Sequence, residues 1–579
     1  MYLRKSKKKN GRIYLTIVQG YRDENGKNKA KTIKSLGYVD ALKAEFEDPI
    51  AHFEEECRRL TAEEEAKNAP ISINFYPEQK IDMRKENQVE LGAAIPSAYF
   101  HRDLDIWSFF ERKRTARKVD YDPCRILELL VWNRISDPSS KKQAWEGRSR
   151  FPRKCNFSLD DVYRSLDYLN KNADALVKHM DASLEAHRGK RDKTRLYYDV
   201  TNYYFEVENE DTGKDGLRKR GVSKEHRPNP IVQMGLLLDG QGIPLDYEIF
   251  PGNNNDMTTM MPVMKKARLR DLSDSSDPER QRVIIVADKG LNTSNNIAAC
   301  TLDGNGFIFS QSVRKATKSL KTWVLDEAGY TSNESETFKI KSRIIDKTIT
   351  ITGQDGKKHS VNIPVKEVAF WSKDFFDRSR YERQRVIEKS RNAIENDEMS
   401  SACAKTSVRY TKDVPVVKAT GEVANHNWVL DEEKIARDEE MDGYYCIITS
   451  EQEMEDRDVI EAYRGLWRIE ESFRVLKSDF DARPVYVSRE EHIRAHFLIC
   501  FIALLIMRLM QLDLKKQYSS AQIAKDLSNI VGHHMDANLY LFDYRTPITD
   551  KLAEAVQIDL SKRVLKRGEI RDIMSRVKK

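Results

Sequence analysis

Residues 282–290 read RVIIVADKG, a short apolar run that ends on the carboxylate of Asp288. Such a run predicts a strand that is buried on both faces. A second β-rich run, TRLYYDVTNYYFE at 194–206, carries Asp199. Ligands of open α/β sheets collect at strand ends, where a carboxylate is held on a rigid element. The two runs therefore predict an α/β domain with an aspartate at the end of each strand, although Asp288 alone is equally typical of a helix N-cap.

A third carboxylate lies in residues 463–480, YRGLWRIEESFRVLKSDF, which predict one amphipathic helix. Tyr463, Glu470 and Lys477 are seven residues apart, close to two helical turns, and so share the stripe that also carries Leu466 and Phe473. A carboxylate on an inward stripe costs free energy unless it is paired or bound to a metal. One interpretation is an intrahelical network with the arginine one turn further on. The other is that Glu470 joins the two aspartates.

Two aspartates and a glutamate can converge on a hard divalent cation, because carboxylate oxygens are the ligands that Mg²⁺ and Mn²⁺ prefer. Two such ions about 4 Å apart stabilise the attacking and leaving oxygens of an in-line phosphoryl displacement. The expected cofactor is therefore a pair of Mg²⁺ ions, for which Mn²⁺ can substitute. In this interpretation Glu470 faces inward because it binds the metal ions.

The runs YYDVTNYYFE, VIIVADKGLNT and YRGLWRIEESFRVLK together resemble bacterial insertion-sequence transposases of the DDE class. The closest resemblance is to the group whose third carboxylate lies in a Tyr-x2-Arg-x3-Glu-x6-Lys helix. The resemblance implies a ribonuclease-H-like catalytic core and places a metal-binding triad on Asp199, Asp288 and Glu470. It also implies that Tyr463 and Lys477 contact DNA phosphate near the scissile bond.

One position departs from that signature. The arginine expected three residues after Tyr463 is Leu466 in this chain. Arg464 points off the predicted stripe, whereas Arg474 lies one turn beyond Glu470 on nearly the same face. Either arginine can take over the role, or the role is absent, and Arg474 is the candidate DNA contact.

Basic residues concentrate at the start of the chain. The net charge is +7, yet residues 1–34 hold eleven Lys or Arg, Lys7, Lys8 and Lys9 among them, against two acidic residues. Two β-rich runs here are joined by Asn25-Gly26, a strong hairpin signal. Clustered lysines on such a hairpin favour attraction to DNA phosphate. The alternative is a solubilising tail.

A second basic cluster, GVSKEHRP at 221–228, lies between the predicted strands. It contains Lys224, His226 and Arg227, which we interpret as a phosphate-gripping loop beside the active site. The alternative is a solvated loop tip. His226 is not expected to act as a general base.

The predicted fold class is α/β, with a ribonuclease-H-like core interrupted by a β-rich insertion and preceded by a basic β-hairpin and a helical module. Helix signals in the module are Asp122-Pro123 and Ser158 with Asp161 three residues later. The predicted regions are a hairpin arm (1–45), a linker (46–100), a helical and DNA-binding module (101–190), the first part of the core (191–312), the insertion (313–440), the second part of the core with the Glu470 helix (441–515) and a C-terminal helical region (516–579).

Composition excludes several classes of protein. Hydrophobic residues make up 40% and charged residues 33% of the chain, as in soluble folded proteins. The longest apolar run, FLICFIALLIM at 497–507, is too short to span a bilayer and predicts a buried helix. Seven scattered cysteines without a CxxC pair fit a reducing cytoplasm. The resemblance implies a bacterial cytoplasm, where we expect the protein to associate with the nucleoid.

The expected function is a DNA transposase that cuts at the terminal inverted repeats of its own element and joins the 3′ ends to target DNA. Its expected partners are those two DNAs, with a homodimer on paired ends and no membrane. The alternatives are a metal-dependent nuclease and a DNA-binding protein with a decayed active site. Three intact carboxylates argue against the decayed protein. Strand joining, as opposed to hydrolysis, separates transposase from nuclease.

Overall fold

The computed structural model divides the chain into two compact units, residues 1–83 and 84–579. The structure describes residues 1–22, 27–67, 78, 80, 86–116, 119–213, 216–224, 227–272, 282–352, 357–395, 409–417, 423–535 and 538–578.

The N-terminal unit is an antiparallel three-stranded sheet in the order β1-β2-β3, with a helix against it. Its elements are β1 (Tyr2–Lys7), β2 (Ile13–Arg22), β3 (Asn28–Tyr38), α1 (Val39–Leu42) and α2 (Pro49–Lys67). The β2–β3 hairpin confirms the predicted pairing of the two runs, and its Asn25-Gly26 turn lies outside the described residues. Lys5 on β1 forms a 2.8 Å ion pair with Glu54 on α2. The first part of the expected linker is therefore a helix of this folded unit.

After the short strand β4, the second unit is helical as far as Arg188, as predicted for residues 101–190. The elements are β4 (Gln88–Glu90), α3 (Ala94–Ala98), α4 (Ile106–Ala116), α5 (Pro123–Ser136), α6 (Lys141–Glu146) and α7 (Leu159–Arg188). Both predicted N-caps are present: the Asp122 carboxylate accepts from the Arg125 amide at 3.0 Å, and Ser158 forms a capping box with Asp161. Capping of this kind stabilises a helix by about 1 kcal/mol.

A nine-stranded mixed sheet follows, in the order β10-β11-β12-β15-β9-β8-β5-β6-β7. Strands β5, β6 and β7 are antiparallel neighbours, whereas β5, β8 and β9 are parallel. The elements of this part are β5 (Arg195–Tyr204), β6 (Ile231–Leu238), β7 (Pro244–Pro251), α8 (Met260–Leu272), β8 (Ile284–Ala287), α9 (Ser294–Leu302) and β9 (Gly306–Gln311).

The predicted insertion contributes the other edge of the same sheet. Its elements are α10 (Lys318–Leu325), β10 (Thr331–Ser332), β11 (Phe338–Thr352), β12 (Lys358–Ser372), α11 (Lys373–Glu395), β13 (Thr411–Val417), β14 (Val423–Leu430) and α12 (Glu432–Glu439), and β15 (Tyr444–Thr449) follows. Strands β11 and β12 pair over their whole length, and β12 pairs with β15. The insertion therefore extends the central sheet, and among its described strands only β13 and β14 form a sheet of their own.

The predicted single helix over 463–480 is wrong. The chain forms α13 (Asp456–Arg464), breaks at Gly465 and Leu466, continues as α14 (Trp467–Arg474), and widens into a π-helical turn at Val475–Asp479. A Cβ at Gly465 would overlap the Tyr197 phenol of β5. The junction of α13 and α14 therefore lies so close to this side chain that the position requires glycine.

Helix α15 (Glu490–Asp513) lies at the centre of the second unit. Helices α5 and α7 pack against it. Among the helices of the described ranges it alone is long and apolar enough to cross a membrane, and 94% of its apolar window is buried inside the molecule. The helix extends well beyond the apolar run on which the length argument rested, but the predicted burial is confirmed. The six cysteines within the described ranges are free thiols.

The C-terminal region is only partly helical, so the helical prediction for 516–579 is corrected. Its elements are α16 (Ser520–Ser528), β16 (Val531–His534), β17 (Leu539–Leu541), α17 (Pro547–Ala555), β18 (Val564–Lys566) and α18 (Arg567–Arg576). The three strands pair with β4 in a four-stranded sheet of order β18-β17-β16-β4. Strands of three or four residues are too short to show an alternating pattern in the sequence.

Candidate active site

Asp199 and Asp288 lie on neighbouring parallel strands. Pairing between β5 and β8 ends at Tyr198 opposite Ala287, and the next residue on each strand is one of the two aspartates. Neighbouring strands are about 4.8 Å apart, so the two carboxylates are side by side. Asp288 follows its strand as predicted. Asp199 lies inside β5, which continues to Tyr204 because it still pairs with β6 after β8 has ended.

The two aspartates share a face of the sheet with the helices α13 to α15. Side chains alternate along a strand, and the residues two positions earlier, Tyr197 and Val286, belong to the apolar cluster that includes Ile469 of α14. The sheet therefore presents both carboxylates toward the side on which Glu470 lies.

Asp288 is fixed by two hydroxyl groups. The Ser310 hydroxyl donates to Asp288 Oδ1 at 2.8 Å, and the Tyr463 phenol donates to the same oxygen at 3.0 Å. Burial raises the pKa of the Tyr463 phenol, and the negative charge of Asp288 adds to the shift. Tyr463 thus contacts a carboxylate in this structure. With Oδ1 held by two donors, Oδ2 is the oxygen left for a ligand.

Asp199 is partly buried and electrostatically coupled to both other carboxylates. Burial raises the pKa of Asp199 from 3.8 to about 6, the Lys224 ammonium opposes the shift, and the charges of Asp288 and Glu470 add to it. Lys224 donates to the Val200 carbonyl at 2.8 Å, which places its charge beside Asp199. The three carboxylates therefore form one interacting group.

Glu470 is exposed on α14, at the edge of the stripe whose Leu466 and Phe473 are buried. The helix is held from behind by Arg508 of α15, which donates to the Ser472 hydroxyl at 2.8 Å and forms a 3.3 Å ion pair with Glu471. Its neighbour Glu471 thus serves packing, whereas Glu470 is free to meet a ligand.

The donors fit a hard divalent cation in chemistry, since all three are carboxylates that raise one another's cost of ionisation. Within the described part of the chain, however, no three His, Cys, Asp or Glu side chains form a group that could hold a metal ion. The carboxylates are neighbours without being gathered around one point. A bound cation would relieve the repulsion that acts on Asp199.

Comparison with known families decides what kind of site this is. A family described as the transposase DDE domain matches residues 207–506, slightly more than half of the chain. A second family, described as the N-terminal domain of IS1634 family transposases, matches residues 3–71. The chain belongs to the DDE transposase family. It is a DNA transposase of the insertion-sequence kind, as the resemblance in the sequence implied, and DNA is its partner.

The matched range contains Asp288 and Glu470, and Asp199 lies eight residues before it. No curated protein matches the transposase. Among solved structures, a piggyBac transposase in a synaptic complex with hairpin DNA aligns at 8% identity over 85% of this chain and 87% of its own, with a TM-score of 0.34. A score this low carries no argument about the fold.

The remaining candidate residues of the signature helix have different contacts. Lys477 lies on the π-helical turn, 5.5 Å from the centre of the Tyr203 ring. Arg474 is exposed and lies 3.8 Å from Asp479 and 4.0 Å from Glu471. Arg474 therefore pairs with carboxylates outside the proposed triad. Leu466 is buried, so this position of the signature serves the core of the transposase.

The basic loop lies beside Asp199. The Asn202 amide donates to the Val222 carbonyl at 3.0 Å, and the Arg227 guanidinium lies 4.2 Å from the Tyr204 ring centre. Lys224 and Arg227 are exposed. His226 lies outside the described residues. The described cations of the loop are thus accessible next to β5.

Lys7, Lys8 and Lys9 belong to the N-terminal unit and are exposed. Lys7 ends β1, and Lys8 lies 5.2 Å from the Tyr14 ring centre. They form the turn end of the β1–β2 hairpin.

Sequence reasoning missed Ser310 and Tyr445. Ser310 is a polar residue in the otherwise apolar strand GFIFSQ, a signal that could have identified it. Tyr445 lies in β15, where burial raises its pKa and the charges of Asp288 and Glu470 add to the shift. In the sequence YYCIIT nothing distinguishes this tyrosine from a core residue.

Proposed function

We propose that this transposase cuts DNA at the terminal inverted repeats of its own insertion sequence and joins the 3′ ends to target DNA. Asp199, Asp288 and Glu470 form its catalytic triad. The observation that carries the proposal is the end of the parallel β5–β8 pairing, where two aspartates stand side by side and interact electrostatically with Glu470.

The core around the triad is ribonuclease-H-like in this proposal. Its support is the strand arrangement: three antiparallel strands, β7, β6 and β5, are followed in the sheet by β8 and β9 parallel to β5. Asp199 lies on β5, the first of these strands in the chain. Asp288 follows β8, the next strand after the β5–β6–β7 meander, and Glu470 lies on α14, which packs on the same face of the sheet.

The cofactor in this proposal is a pair of Mg²⁺ ions, for which Mn²⁺ can substitute. Such ions, when bound to the three carboxylates, stabilise the attacking and leaving oxygens of the displaced phosphodiester. Ser310 and Tyr463 orient Asp288, and Lys224 limits the repulsion that acts on Asp199. Lys477 contacts a phosphate next to the scissile bond, and Tyr463 contributes to the same contact when its phenol turns from Asp288.

In the proposed complex with DNA, basic residues outside the triad also contact phosphate. Lys224, His226 and Arg227 grip DNA phosphate beside the active site, and Lys7, Lys8 and Lys9 do so from the N-terminal unit. The transposase acts as a homodimer on paired ends, in the bacterial cytoplasm and associated with the nucleoid. Paired cuts at two ends of one element require two active sites, which is the reason for a dimer.

The test compares Asp199→Asn, Asp288→Asn and Glu470→Gln with the wild type. Each carboxamide keeps the shape of the side chain and removes the charge that holds a divalent cation. Cleavage of a labelled repeat-end duplex in Mg²⁺ is expected to be lost, while binding of that duplex is retained. The stabilisation of the protein by Mn²⁺, measured by thermal unfolding without DNA, is expected to be lost as well.

The matched control is Glu461→Gln on α13, an exposed glutamate outside the triad. It is expected to cut at the wild-type rate. A triad variant that also cuts at that rate removes its residue from the triad. Products joined to target DNA identify a transposase activity, whereas cut ends that are never joined favour a nuclease.

A further inference from the structure

A large polar cleft lies in the second unit, formed by segments that carry none of the triad residues. Its volume is about 1140 Å³. One wall is the segment 148–156 after α6, and the opposite wall is α18 with the residues that follow it. Strands β4, β16 and β17 and the start of α5 complete the lining.

The lining of the cleft is strongly cationic. It carries seven Lys or Arg side chains and a single carboxylate, Glu86. The seven cations are Arg125, Arg148, Arg153, Lys154, Arg567, Arg571 and Lys578.

Two of these cations share one buried carboxylate. Arg125 and Arg153 form ion pairs with the buried Glu128. Burial opposes ionisation of Glu128, but its hydrogen bond to His101 and the charges of His101, Arg153 and Arg125 lower its pKa to about 2. One carboxylate therefore serves two guanidinium groups, and with Glu86 as the other acidic residue the cleft keeps a surplus of positive charge.

Three of the remaining cations have side chains without an acidic or hydrogen-bonding partner among the described residues. They are Lys154, Arg567 and Arg571, and each is exposed. Lys578 is affected by the same surplus of positive charge. Burial lowers the pKa of its ammonium group, and repulsion from Arg153 and Arg125 lowers that pKa further. Clustered like charges destabilise one another. Such a cluster is favourable only when an anion joins it.

Three of the cations lie on or directly after α18. Arg567 and Arg571 are four residues apart and so lie on one face of α18. From Arg567 to Arg576 this helix is about 14 Å long at 1.5 Å per residue, and Lys578 follows two residues beyond its end. Duplex DNA rises 3.4 Å per nucleotide of each strand, so a row of this length meets more than one phosphate. A cation row of this length matches a polymer of phosphates better than a single small anion.

We propose that this cleft is a second DNA-binding site of the transposase, which holds the phosphodiester backbone of duplex DNA away from the catalytic carboxylates. The site reads no base sequence, because phosphate contacts position DNA without specifying it. The inference rests on the DNA transposase family and is independent of the triad assignment.

The test is a triple variant of the full chain, Lys154→Gln with Arg567→Gln and Arg571→Gln. Its matched control is Arg576→Gln, which removes an exposed cation from the same helix but outside the cleft. Binding of a short labelled duplex is measured in EDTA at several salt concentrations, so that no cleavage takes place and the triad does not affect the result. The single variant Arg571→Gln is measured in parallel, in case the triple variant unfolds.

The slope of log affinity against log salt is expected to flatten by about 0.9 for each lost phosphate contact, hence by up to about 2.7 in the triple variant. The loss is expected to be equal for a terminal-repeat duplex and for one of unrelated sequence. A slope equal to that of Arg576→Gln, in both the triple and the single variant, overturns the proposal. It is also overturned if a mononucleotide or inorganic phosphate competes as tightly as the duplex, since the ligand is then a small anion.

Discussion

The environment of Asp199 opposes the charge that its proposed role needs. Burial and two neighbouring carboxylates raise its pKa to about 6, and the Lys224 ammonium offsets only part of the shift. An aspartate placed for stability would have the opposite shift, as paired carboxylates do. Perturbed carboxylates of this kind concentrate at functional sites. A cation bound by such a group supplies the positive charge that the protein itself does not place there.

We therefore expect Asp199→Asn to stabilise the protein in EDTA at pH 8. The pKa of Asp199 is higher in the folded state than its ordinary 3.8, so the folded state retains the proton that the unfolded chain releases. The cost of ionisation is absent below pH 3.8, grows as the pH rises toward 6, and is complete above it. It amounts to about 1–3 kcal/mol. Urea unfolding is expected to show this gain at pH 8 and none at pH 4, and an equal gain at both values would contradict the assignment.

Lys477 is the residue for which two interpretations differ most in their consequences. As a phosphate contact it acts as a point charge without bidentate geometry. Lys477→Arg is therefore expected to keep part of the strand-transfer activity and Lys477→Ala little of it, with an unchanged unfolding temperature. If the ammonium only packs over the Tyr203 ring, the alanine variant joins ends at the wild-type rate and loses a little stability. Strand-transfer assays together with thermal unfolding separate the two.

Single residues of the site were predictable where a local pattern marks them. Asp288 ends an apolar run, and Glu470 interrupts an apolar stripe, so both carry a signal within a few positions. Tyr445 carries none, because its place beside Asp288 and Glu470 depends on a strand pairing between β15 and β9. The hydrogen bond from Tyr463 to Asp288 likewise joins residues far apart in the chain.

At the scale of elements, periodicity predicted helical character over 463–480 but not the break within it. A spacing of seven residues matches a continuous helix, and the two short helices of the structure keep roughly that spacing. The break falls where Gly465 meets Tyr197 of β5, which is a contact between distant segments. The short strands β16 to β18 were missed for a similar reason, since their only signal is the sheet that they form with β4.

This break yields a prediction about the placement of Glu470. In Gly465→Ala the new methyl group would overlap the Tyr197 phenol, so the junction of α13 and α14 must move away from the sheet. Overpacking of this kind costs about 1–3 kcal/mol, and cleavage is expected to fall because Glu470 moves with the junction. Cleavage rates and urea unfolding measure the two effects.

The companion variant is Gly465→Ala with Tyr197→Leu, which makes room for the methyl group. It is expected to recover part of the cleavage rate relative to Gly465→Ala alone. A double variant that cuts no better than Gly465→Ala would show that the loss has another cause than this contact.

At the scale of the whole molecule, two large groups of cations belong to segments that carry none of the triad residues. The surplus of nine positive charges in residues 1–34 belongs to the N-terminal unit, and the cationic cleft is built from β4, the segment after α6, and α18 in the second unit. The first surplus was visible in the sequence because its cations lie within one stretch of 34 residues. The second was not, because its seven cations are spread from Arg125 to Lys578 and only folding brings them together.

The two cationic regions make a joint prediction about DNA binding. Lys7→Gln, Lys8→Gln and Lys9→Gln together are expected to flatten the salt slope by up to about 2.7, as is the triple variant of the cleft. Counterion release counts every neutralised phosphate, so the two effects add only if both regions hold the same DNA at the same time. Arg59→Gln on α2 is the control for the N-terminal unit, since this exposed arginine lies on the helix and outside the lysine turn.

If both regions contact one DNA molecule, the sixfold variant has a slope flattened by the sum of the two changes, up to about 5.4. If they bind DNA alternately, the wild-type slope reflects only the stronger region. Removing that region then exposes the slope of the other, and the sixfold variant loses more than the sum of the losses of the two triple variants measured on the same duplex. Anisotropy titrations of the wild type, both triple variants and the sixfold variant therefore decide whether this transposase holds its DNA with the two regions at once.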